Sequence, residues 1–397
     1  MKQNGDIKKL SEIGKVFNGN SINEKVKKDN YTGLDDGLPF IATKDVGFDS
    51  VIDYANGVKI PFNEKEQFKI APANTPLICV EGGSAGRKIG FTNQEVCFGN
   101  KLFALVPNKN VDSKFLFYYY FSSSFQKHFS TEMAGIIGGV SMNKFKDIEI
   151  PLPPLPEQRR IVSLLDEAFA AIAKAKANAE QNLKNAKELF ESYLQGVFEN
   201  GNWEKKKLQD VAKVFGRGKS KHRPRNWEGL YGGDYPFIQT GEVRNANKYI
   251  SSYIQTYNEV GLAQSKLWKK GTICITIAAN IAETAILDFD ACIPDSIIGF
   301  EVDEKKADLN FAYYLLQYFK AELQKLGKGS AQDNINLGTF ENQYFPFPSL
   351  QEQQAIVLQL DALRAETQKL EAVYQKKIDD LDELKKSILQ KAFAGEL

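Results

Sequence analysis

The chain has 397 residues, enough for two or three domains with hydrophobic cores. Its formal net charge of +1 excludes a uniformly basic DNA-binding protein, so any nucleic-acid surface must be local. No apolar run reaches membrane-spanning length, the first residues lack the apolar core of a signal peptide, and four cysteines in a chain this long are typical of a reducing compartment. We therefore expect a cytoplasmic protein that does not span a membrane.

Residues 1–150 are predicted to form a first globular module. Short β-rich runs at residues 39–43, 77–80 and 102–106 alternate with turns rich in Gly, Asn and Asp, and an aromatic helix follows around residues 114–125. The pattern indicates an α+β module. A glycine-rich loop after the second run is interpreted as a DNA-contacting loop, with a tight turn carrying exposed charges as the alternative. The candidate DNA-binding residues of this module are Thr43, Lys44, Gly83, Ser84, Arg87 and Lys88.

Residues 151–202 are predicted to form one long helix. Apolar residues recur in steps of three and four, which places them on one helix face. This stripe comprises Ile161, Leu165, Ala168, Ile172, Ala175, Ala179, Leu183, Ala186, Phe190, Tyr193 and Val197. A helix of about 40 residues is roughly 60 Å long. Because the stripe is narrow and the other faces are charged, the helix needs a partner.

The same pattern recurs at the end of the chain, in the predicted helix 346–397. Residues 352–393 align with residues 157–198 without a gap, by a shift of 195 (352 − 157 = 393 − 198). The second stripe comprises Ile356, Leu360, Leu363, Thr367, Leu370, Tyr374, Ile378, Leu381 and Ile388. The simplest partner of each helix is its own copy, packed antiparallel as a coiled coil with a pseudo-twofold axis. The alternative is two unrelated amphipathic core helices.

Residues 203–345 repeat the first module on the same scaffold. Pro-Phe-Ile-Ala-Thr at residues 39–43 becomes Pro-Phe-Ile-Gln-Thr at residues 236–240. The four cysteines repeat too, since Cys79 and Cys97 lie 195 residues before Cys274 and Cys292, and we expect them to be buried on strands. The loops between the repeated segments differ, as expected of two related binding modules with different targets.

The second module carries a basic segment at residues 205–225, with nine Lys or Arg and one acid, Asp210. We interpret it as a loop whose glycines let the backbone approach phosphates, the alternative being a solvated basic loop. The segment has no Walker spacing, because Lys213 stands where the first glycine would be. The candidate DNA-binding residues of this module are Arg217, Lys219, Lys221, His222, Arg223, Arg225, Asn226, Gln239, Thr240 and Asn280.

The sequence is poor in catalytic and metal-binding patterns. It has two histidines, no Cys-x-x-Cys, no His-Glu-x-x-His and no adenine-methylase motif. We therefore predict no catalytic residue, no metal and no cofactor bound by this chain.

The chain resembles the specificity subunit of type I restriction–modification enzymes over nearly its whole length. The resemblance rests on Pro-Leu-Pro-Pro-Leu-Pro-Glu-Gln at residues 151–158, Pro-Ser-Leu-Gln-Glu-Gln at residues 348–353, Pro-Phe-Ile-Gln-Thr-Gly at residues 236–241, and the end of the chain at residues 389–397. Phe347 and Gln351 depart from the first copy, which has Leu152 and Pro156. The residues of these helices proposed for spacing and partner binding are Glu157, Gln158, Ile161, Leu165, Glu352, Gln353, Ile356 and Leu360.

The resemblance implies a non-catalytic subunit in which two target-recognition domains each bind half of a bipartite, asymmetric site on double-stranded DNA. Two antiparallel helices would separate the domains and set the gap. The subunit would recruit two modification subunits, which bind S-adenosylmethionine and methylate adenine, and ATP- and Mg-dependent restriction subunits. Two alternatives remain from the residues alone: a coiled-coil adaptor with two protein-binding modules, and a DNA methyltransferase or nuclease acting on its own.

Overall fold

The structure, a computed structural model, describes residues 6–133, 138–222, 224, 226–278, 281–328, 335–341 and 343–397. The chain divides into two compact units: unit 1 is Met1–Glu180 with Lys376–Leu397, and unit 2 is Gln181–Gln375. Each unit thus contains one globular module and a segment of both long helices. The boundaries drawn from the sequence between module and helix stay a prediction. Within the described ranges, no helix is both long and apolar enough to cross a membrane.

The described part of unit 1 combines short strands with short helices. Its strands are β1 (Asp6–Lys9), β2 (Gly14–Asn18), β3 (Leu38–Ile41), β4 (Lys59–Ile60), β5 (Ile70–Ala71), β6 (Pro76–Cys79), β7 (Ile89–Phe91), β8 (Val96–Phe98), β9 (Leu102–Pro107) and β10 (Glu149–Leu152). Its helices are α1 (Leu10–Ile13), α2 (Glu24–Val26), α3 (Ser113–Tyr119), α4 (Ser123–Glu132) and α5 (Met142–Asp147), and the long helix α6 (Leu155–Asn200) begins here.

Two four-stranded sheets form the body of unit 1. One is antiparallel, in the order β2-β9-β6-β7, and the other has the order β4-β3-β8-β5 with β3 and β8 parallel. Cys79 on β6 and Cys97 on β8 are buried free thiols, as predicted, and burial raises the pKa of Cys97 to about 12. Strand β1 pairs antiparallel with β10, which fixes the point where the chain leaves the module for α6.

The single aromatic helix predicted around residues 114–125 is two helices, α3 and α4. The helical conformation is interrupted at Ser122. Its backbone is extended and cannot continue α3, and its hydroxyl accepts a hydrogen bond from the Phe125 N–H. Asp112 caps α3 in the same way. A serine at this position offers the next helix an N-cap, which competes with continuation of the first. The aromatic side chains are core, as predicted: Phe115 and Tyr119 are fully buried.

The described part of unit 2 also combines strands with helices. Its strands are β11 (Lys205–Lys206), β12 (Ala212–Arg217), β13 (Tyr231–Phe237), β14 (Tyr249–Ile250), β15 (Gln255–Tyr257), β16 (Leu267–Trp268), β17 (Ile273–Thr276), β18 (Thr284–Leu287), β19 (Ala291–Cys292), β20 (Ile297–Val302) and β21 (Phe345–Pro346). Its helices are α7 (Thr240–Asn245), α8 (Glu259–Ala263), α9 (Leu309–Lys328) and α10 (Leu337–Glu341), and the second long helix α11 (Leu350–Ala394) begins here.

The sheets of unit 2 repeat those of unit 1. A five-stranded sheet has the order β12-β20-β17-β18-β14, and a four-stranded sheet has the order β15-β13-β19-β16. The parallel pair β13–β19, with Phe237 opposite Cys292, corresponds to β3–β8, with Phe40 opposite Cys97. The predicted α+β class and internal repeat are therefore confirmed at the level of strand pairing.

The two long helices run antiparallel within each unit. In unit 1, the Arg160 guanidinium donates to the Leu397 carbonyl (2.8 Å), and sixteen residues further along α6 the Lys176 ammonium lies 2.7 Å from the Asp382 carboxylate. In unit 2, the Tyr193 hydroxyl donates to Gln359 Oε1 (2.9 Å). Also in unit 2, the Arg364 guanidinium lies 4.8 Å from the Phe190 ring centroid. In each unit, residue numbers rise on α6 as they fall on its partner, so the predicted antiparallel pairing is confirmed inside each unit.

The predicted apolar stripe is wrong at the end of α6. Tyr193 is exposed, and the buried positions after Phe190 are Leu194 and Phe198. Each step of four residues turns the stripe by about 40° on a helix of 3.6 residues per turn. The buried face therefore leaves the seam with α11 and reaches the module core, where the Phe198 ring stacks on that of Tyr318 (5.2 Å).

On α11, Leu370 was predicted in the stripe but is exposed. The buried residues of α11 include Leu360, Thr367 and Ile378, which belong to the predicted stripe, and Leu389, which does not. Their spacing changes from seven residues (360 to 367) to eleven (367 to 378 and 378 to 389). An eleven-residue spacing corresponds to about 3.67 residues per turn, so the second part of the helix does not follow the seven-residue repeat of a left-handed coiled coil.

Candidate nucleic-acid interface

In unit 1, two of the predicted DNA-contacting segments meet. A 3-10 turn, Thr43–Asp45, follows β3, and the loop of residues 80–88 joins β6 to β7. The Lys88 ammonium donates to the Thr43 carbonyl (3.0 Å), and the Ser84 carbonyl accepts from the backbone N–H groups of Arg87 and Lys88. Lys44, Gly83 and Arg87 are exposed around this junction.

The glycine-rich loop has a defined conformation. Gly86 has a φ of +71°, and a Cβ there would lie 2.8 Å from the Phe129 ring. The Gln126 side-chain amide donates to the Gly86 carbonyl (2.9 Å), and the Gly82 N–H donates to Gly138 (2.8 Å). The glycines therefore serve backbone conformation and packing, and the loop holds its charged side chains on a fixed support.

Sequence reasoning missed an aromatic residue at this surface, Phe48. Its ring is 60% exposed, with the Arg87 guanidinium 5.0 Å and the Lys88 ammonium 5.2 Å from its centroid. Neither cation forms an ion pair with a described residue. A lone Phe in the polar turn Gly-Phe-Asp-Ser at residues 47–50 was the available signal.

In unit 2, the basic segment 205–225 is not one loop. Its first part forms β11, a 3-10 turn (Leu208–Val211) and β12. Lys206 pairs with Glu204 (3.0 Å), and Lys213 pairs with Glu304. The segment's first half is therefore structured and partly neutralised, which the charge count could not reveal.

Arg217 and Gly218 also have structural roles. The Arg217 Nε donates to the Asp295 carbonyl (2.9 Å), so the guanidinium is already engaged by the backbone. A Cβ at Gly218 would lie 2.3 Å from the Ile293 carbonyl oxygen. The predicted role of this glycine, close approach to a phosphate, is thus replaced by close approach to its own sheet.

The rest of the segment is held by two side chains that follow α8. Gln264 Oε1 accepts from the backbone N–H groups of Lys221 (2.6 Å) and His222 (3.0 Å), and the Ser265 hydroxyl donates to the Lys219 carbonyl (2.9 Å). These contacts use only backbone atoms of the two lysines. Asn226 is exposed beyond them, whereas Arg223, Arg225 and Asn280 lie outside the described residues.

Gln239 and Thr240 lie at the same sheet edge as this loop. Cys292 on β19 is paired with Phe237 on one side and with Leu267 on the other. Strand β13 is parallel to β19, and β16 is antiparallel to both. The end of β13 and the start of β16 therefore share one edge, separated by a single strand, or about 10 Å. At this edge Gln239 lies just after β13, and its side-chain amide donates to Gln255 Oε1 (2.8 Å). Ser265 lies at the same edge, just before β16.

A second residue missed from the sequence, the cation Lys266, lies close to this edge. The Lys266 ammonium is 3.4 Å from the Trp268 ring centroid. Burial lowers the pKa of Lys266, and the positive charge of Lys219 acts in the same direction. An isolated lysine before a two-residue strand gives no sequence signal of such placement.

Comparison with known proteins identifies the architecture that carries these surfaces. The sequence model of the family described as Type I restriction modification DNA specificity domain matches the chain twice, over residues 3–184 and 200–380. The chain belongs to this family. Membership confirms both the resemblance and the predicted non-catalytic DNA-specificity subunit.

Individual related proteins support the same family assignment. This chain is 27% identical to the type I restriction enzyme MjaVIII specificity subunit of Methanocaldococcus jannaschii, over 83% of this chain and 80% of the relative. Its fold is similar to that of a chain solved in work on complex assembly and conformational transition of the type I R-M system (TM-score 0.82, 19% identity, all of both chains). It is also similar to the HsdS subunit from Thermoanaerobacter tengcongensis (TM-score 0.64, 19% identity, 99% and 97% covered).

The helix residues proposed for partner binding in the specificity subunit are mostly buried in its own units. Ile161, Leu165, Leu360 and both glutamines, Gln158 and Gln353, are at most 1% exposed. Ile356 is half-buried, Glu157 pairs with Arg160, and Glu352 accepts from the Trp203 indole (2.8 Å). The buried residues pack against their own module and so join the helices to it, while their assignment to spacing and partner binding stays a prediction.

The two glutamines join helix to module in the same way. Gln158 Oε1 accepts from the Asp112 N–H (2.8 Å) while its amide donates to the carbonyls of Asn110 and Pro153. Gln353 Oε1 accepts from the Asp308 N–H (2.8 Å). Asp112 and Asp308 cap the next helix of their units, so each long helix is tied to an aromatic helix of its module.

A tyrosine–aspartate pair makes a second, repeated joint in the specificity subunit. The Tyr118 hydroxyl donates to Asp166 on α6, and the Tyr314 hydroxyl donates to Asp361 on α11. Burial raises the pKa of both tyrosines, so they stay neutral donors. Two joints per unit restrict how each module can turn on its helices.

Proposed function

We propose that this chain reads a bipartite, asymmetric site on double-stranded DNA, with one half-site for each unit. The observation that carries the proposal is the repeat itself: the same sheet and turn support different cation-bearing loops in the two units. In unit 1 these loops carry Lys44, Arg87 and Lys88, and in unit 2 Lys219 and Lys221. Lysine and arginine hold phosphates, and side chains beside them reach base edges.

The two continuous helices are proposed to set the gap between half-sites. Helices α6 and α11 each extend through both units without interruption, over 46 and 45 residues. A rise of about 1.5 Å per residue makes such a helix a spacer of fixed length. Half-sites about one duplex turn apart would leave the bases between them uncontacted.

The complex is proposed to contain two modification subunits and, for cleavage, restriction subunits. S-adenosylmethionine, ATP and Mg are proposed to bind these partners. A cytoplasmic location fits the four unoxidised cysteines, which are free thiols.

The test uses charge-removal variants of one unit at a time. Expressed with its modification subunit, R87A with K88A is expected to weaken or relax one half-site, and K219A with K221A the other. Each lost phosphate contact is expected to reduce the slope of log affinity against log salt by about 1. The readouts are the methylated-base map of the host DNA and the affinity of the purified chain for the mapped site.

A charge-matched control is K109A with K174A, which removes two exposed lysines elsewhere in unit 1. This variant should retain both half-sites. If each surface variant weakens both half-sites equally, the assignment of one half-site to each unit is wrong. Absence of duplex binding by the wild-type chain would favour the protein-binding adaptor.

A further inference from the structure

Phe48 lies at the tip of a tight turn in unit 1. Val46 pairs with Ile52 across the turn, the Gly47 N–H donates to the Val51 carbonyl (2.8 Å), and Ser50 takes a φ of +71°. A turn closed by these contacts holds its tip in one conformation. The large apolar side chains at this tip, Phe48 and Val51, are 60% and 63% exposed.

Two cations lie close to the exposed ring. Arg87 and Lys88 approach the Phe48 centroid to 5.0 and 5.2 Å, and Lys88 also holds the Thr43 turn. Cation–π contact of this kind orients a ring and is worth about 0.5–1 kcal/mol at an exposed site. The acid of the turn, Asp49, accepts from the Val51 N–H, so it is engaged within the turn.

This combination matches the chemistry of duplex DNA. Proteins that insert an apolar side chain between base steps also use Arg and Lys in the groove, and Arg and Lys are common contacts of DNA phosphates. Arg87 and Lys88 carry two positive charges at the ring, and neither forms an ion pair with a described residue. Charge complementarity therefore favours a polyanion over an apolar protein surface.

Unit 2 carries a different surface at the corresponding place, the described segment between Val243 and Ile250. Tyr249 is 43% exposed there, with the Lys248 ammonium 5.8 Å from its ring centroid. This ammonium is paired with Asp361 of α11 (2.8 Å), so the segment is held against the helix and its cation is engaged. Within these described segments, an exposed ring beside cations that lack an ion pair with a described residue is found in unit 1, as expected of a feature that distinguishes two half-sites.

We propose that Phe48 is a specificity-determining residue of unit 1, whose ring packs into a base step of that half-site while Arg87 and Lys88 contact the flanking phosphates. The inference rests on the proposed function and adds a base contact to it. Val51 extends the same apolar tip. Because partial unstacking costs least at flexible pyrimidine–purine steps, the ring would select such a step.

The test compares F48A and F48W with F62A in the full chain. Phe62 is 52% exposed on a 3-10 helix of unit 1 and is the matched control. F48A is expected to bind the mapped site on the order of 10- to 100-fold more weakly, the loss of one stacked base. It should relax a single position of one half-site, leaving the salt slope unchanged. F48W should recover most of the affinity, and F62A should bind like wild type.

A duplex with 2-aminopurine at each position of that half-site separates insertion from surface contact. Wild-type chain should raise the fluorescence at one step, and F48A should not. Wild-type affinity and an unaltered methylation motif for F48A would overturn the inference, while loss of the modification subunit without loss of DNA binding would assign Phe48 to a protein partner. If the wild-type chain itself fails to bind duplex DNA, the proposed function fails instead.

Discussion

Insertion of one helical turn, about four residues, after Glu180 together with one turn after Gln375 is expected to lengthen the gap in the recognised site by about two base pairs. The insertion points are the unit boundaries, so each unit keeps its own helix contacts. One turn adds roughly 6 Å, and successive base pairs are about 3.4 Å apart. Neither half-site should change, because the loops that contact DNA are untouched. The methylated-base map of cells expressing the variant measures the gap.

Insertion into only one helix is the control. The two helices are joined by Lys176 to Asp382 in unit 1 and by Tyr193 to Gln359 in unit 2. A turn added to α6 alone shifts the register of the two helices, so both pairings cannot form at once. This variant should therefore lose stability and methylation together. If the double insertion retains the original gap with full activity, the helices do not set the spacing.

Replacement of the buried glutamines by leucine is expected to loosen one unit at a time. Q158L leaves the Asp112 N–H and the Asn110 carbonyl without partners, at a cost of about 1–3 kcal/mol for a buried unsatisfied group. Q353L does the same to the Asp308 N–H. Hydrogen exchange should therefore accelerate in α3 for Q158L and in α9 for Q353L. Because two-state unfolding is expected of small single domains and this chain has two compact units, a single transition temperature is not the appropriate readout.

Q354L provides the matched control, since Gln354 is exposed on the next residue of α11. Its exchange pattern should resemble that of wild type. Equal acceleration in both units for Q158L would show that the glutamine stabilises the whole chain rather than the joint between one helix and its module. Unchanged exchange in either variant would mean that water replaces the lost hydrogen bonds.

The sequence predicted the repeated scaffold because that scaffold is encoded locally. A gapless offset of 195 relates the two helices, and the same offset relates the cysteines, while the strand run at residues 39–43 recurs at residues 236–240 with an offset of 197. The periodicity of the apolar residues indicates which of them are buried. The antiparallel pairing followed from a narrow apolar stripe that needed a partner. Where the stripe failed, at Tyr193 and Leu370, burial was decided by packing partners far away in sequence.

The candidate surface was less predictable because it depends on which loops meet. Charge counting selected residues 205–225 as one loop, but Lys213 is paired with Glu304 and Arg217 with the Asp295 backbone, both distant in sequence. Phe48 and Lys266 gained their surroundings only from the fold. Gln158 and Gln353 were predicted to bind partners because they belong to a family motif. In the structure they accept hydrogen bonds from Asp112 and Asp308, the N-cap residues of α3 and α9.

The central claim, that two different units read two parts of one DNA site, is tested most directly by mapping methylated bases in cells that express this chain with its modification subunit. The account predicts one motif made of two different half-sites separated by a gap of constant length and variable sequence. A single continuous motif, or a palindrome with identical halves, would contradict it.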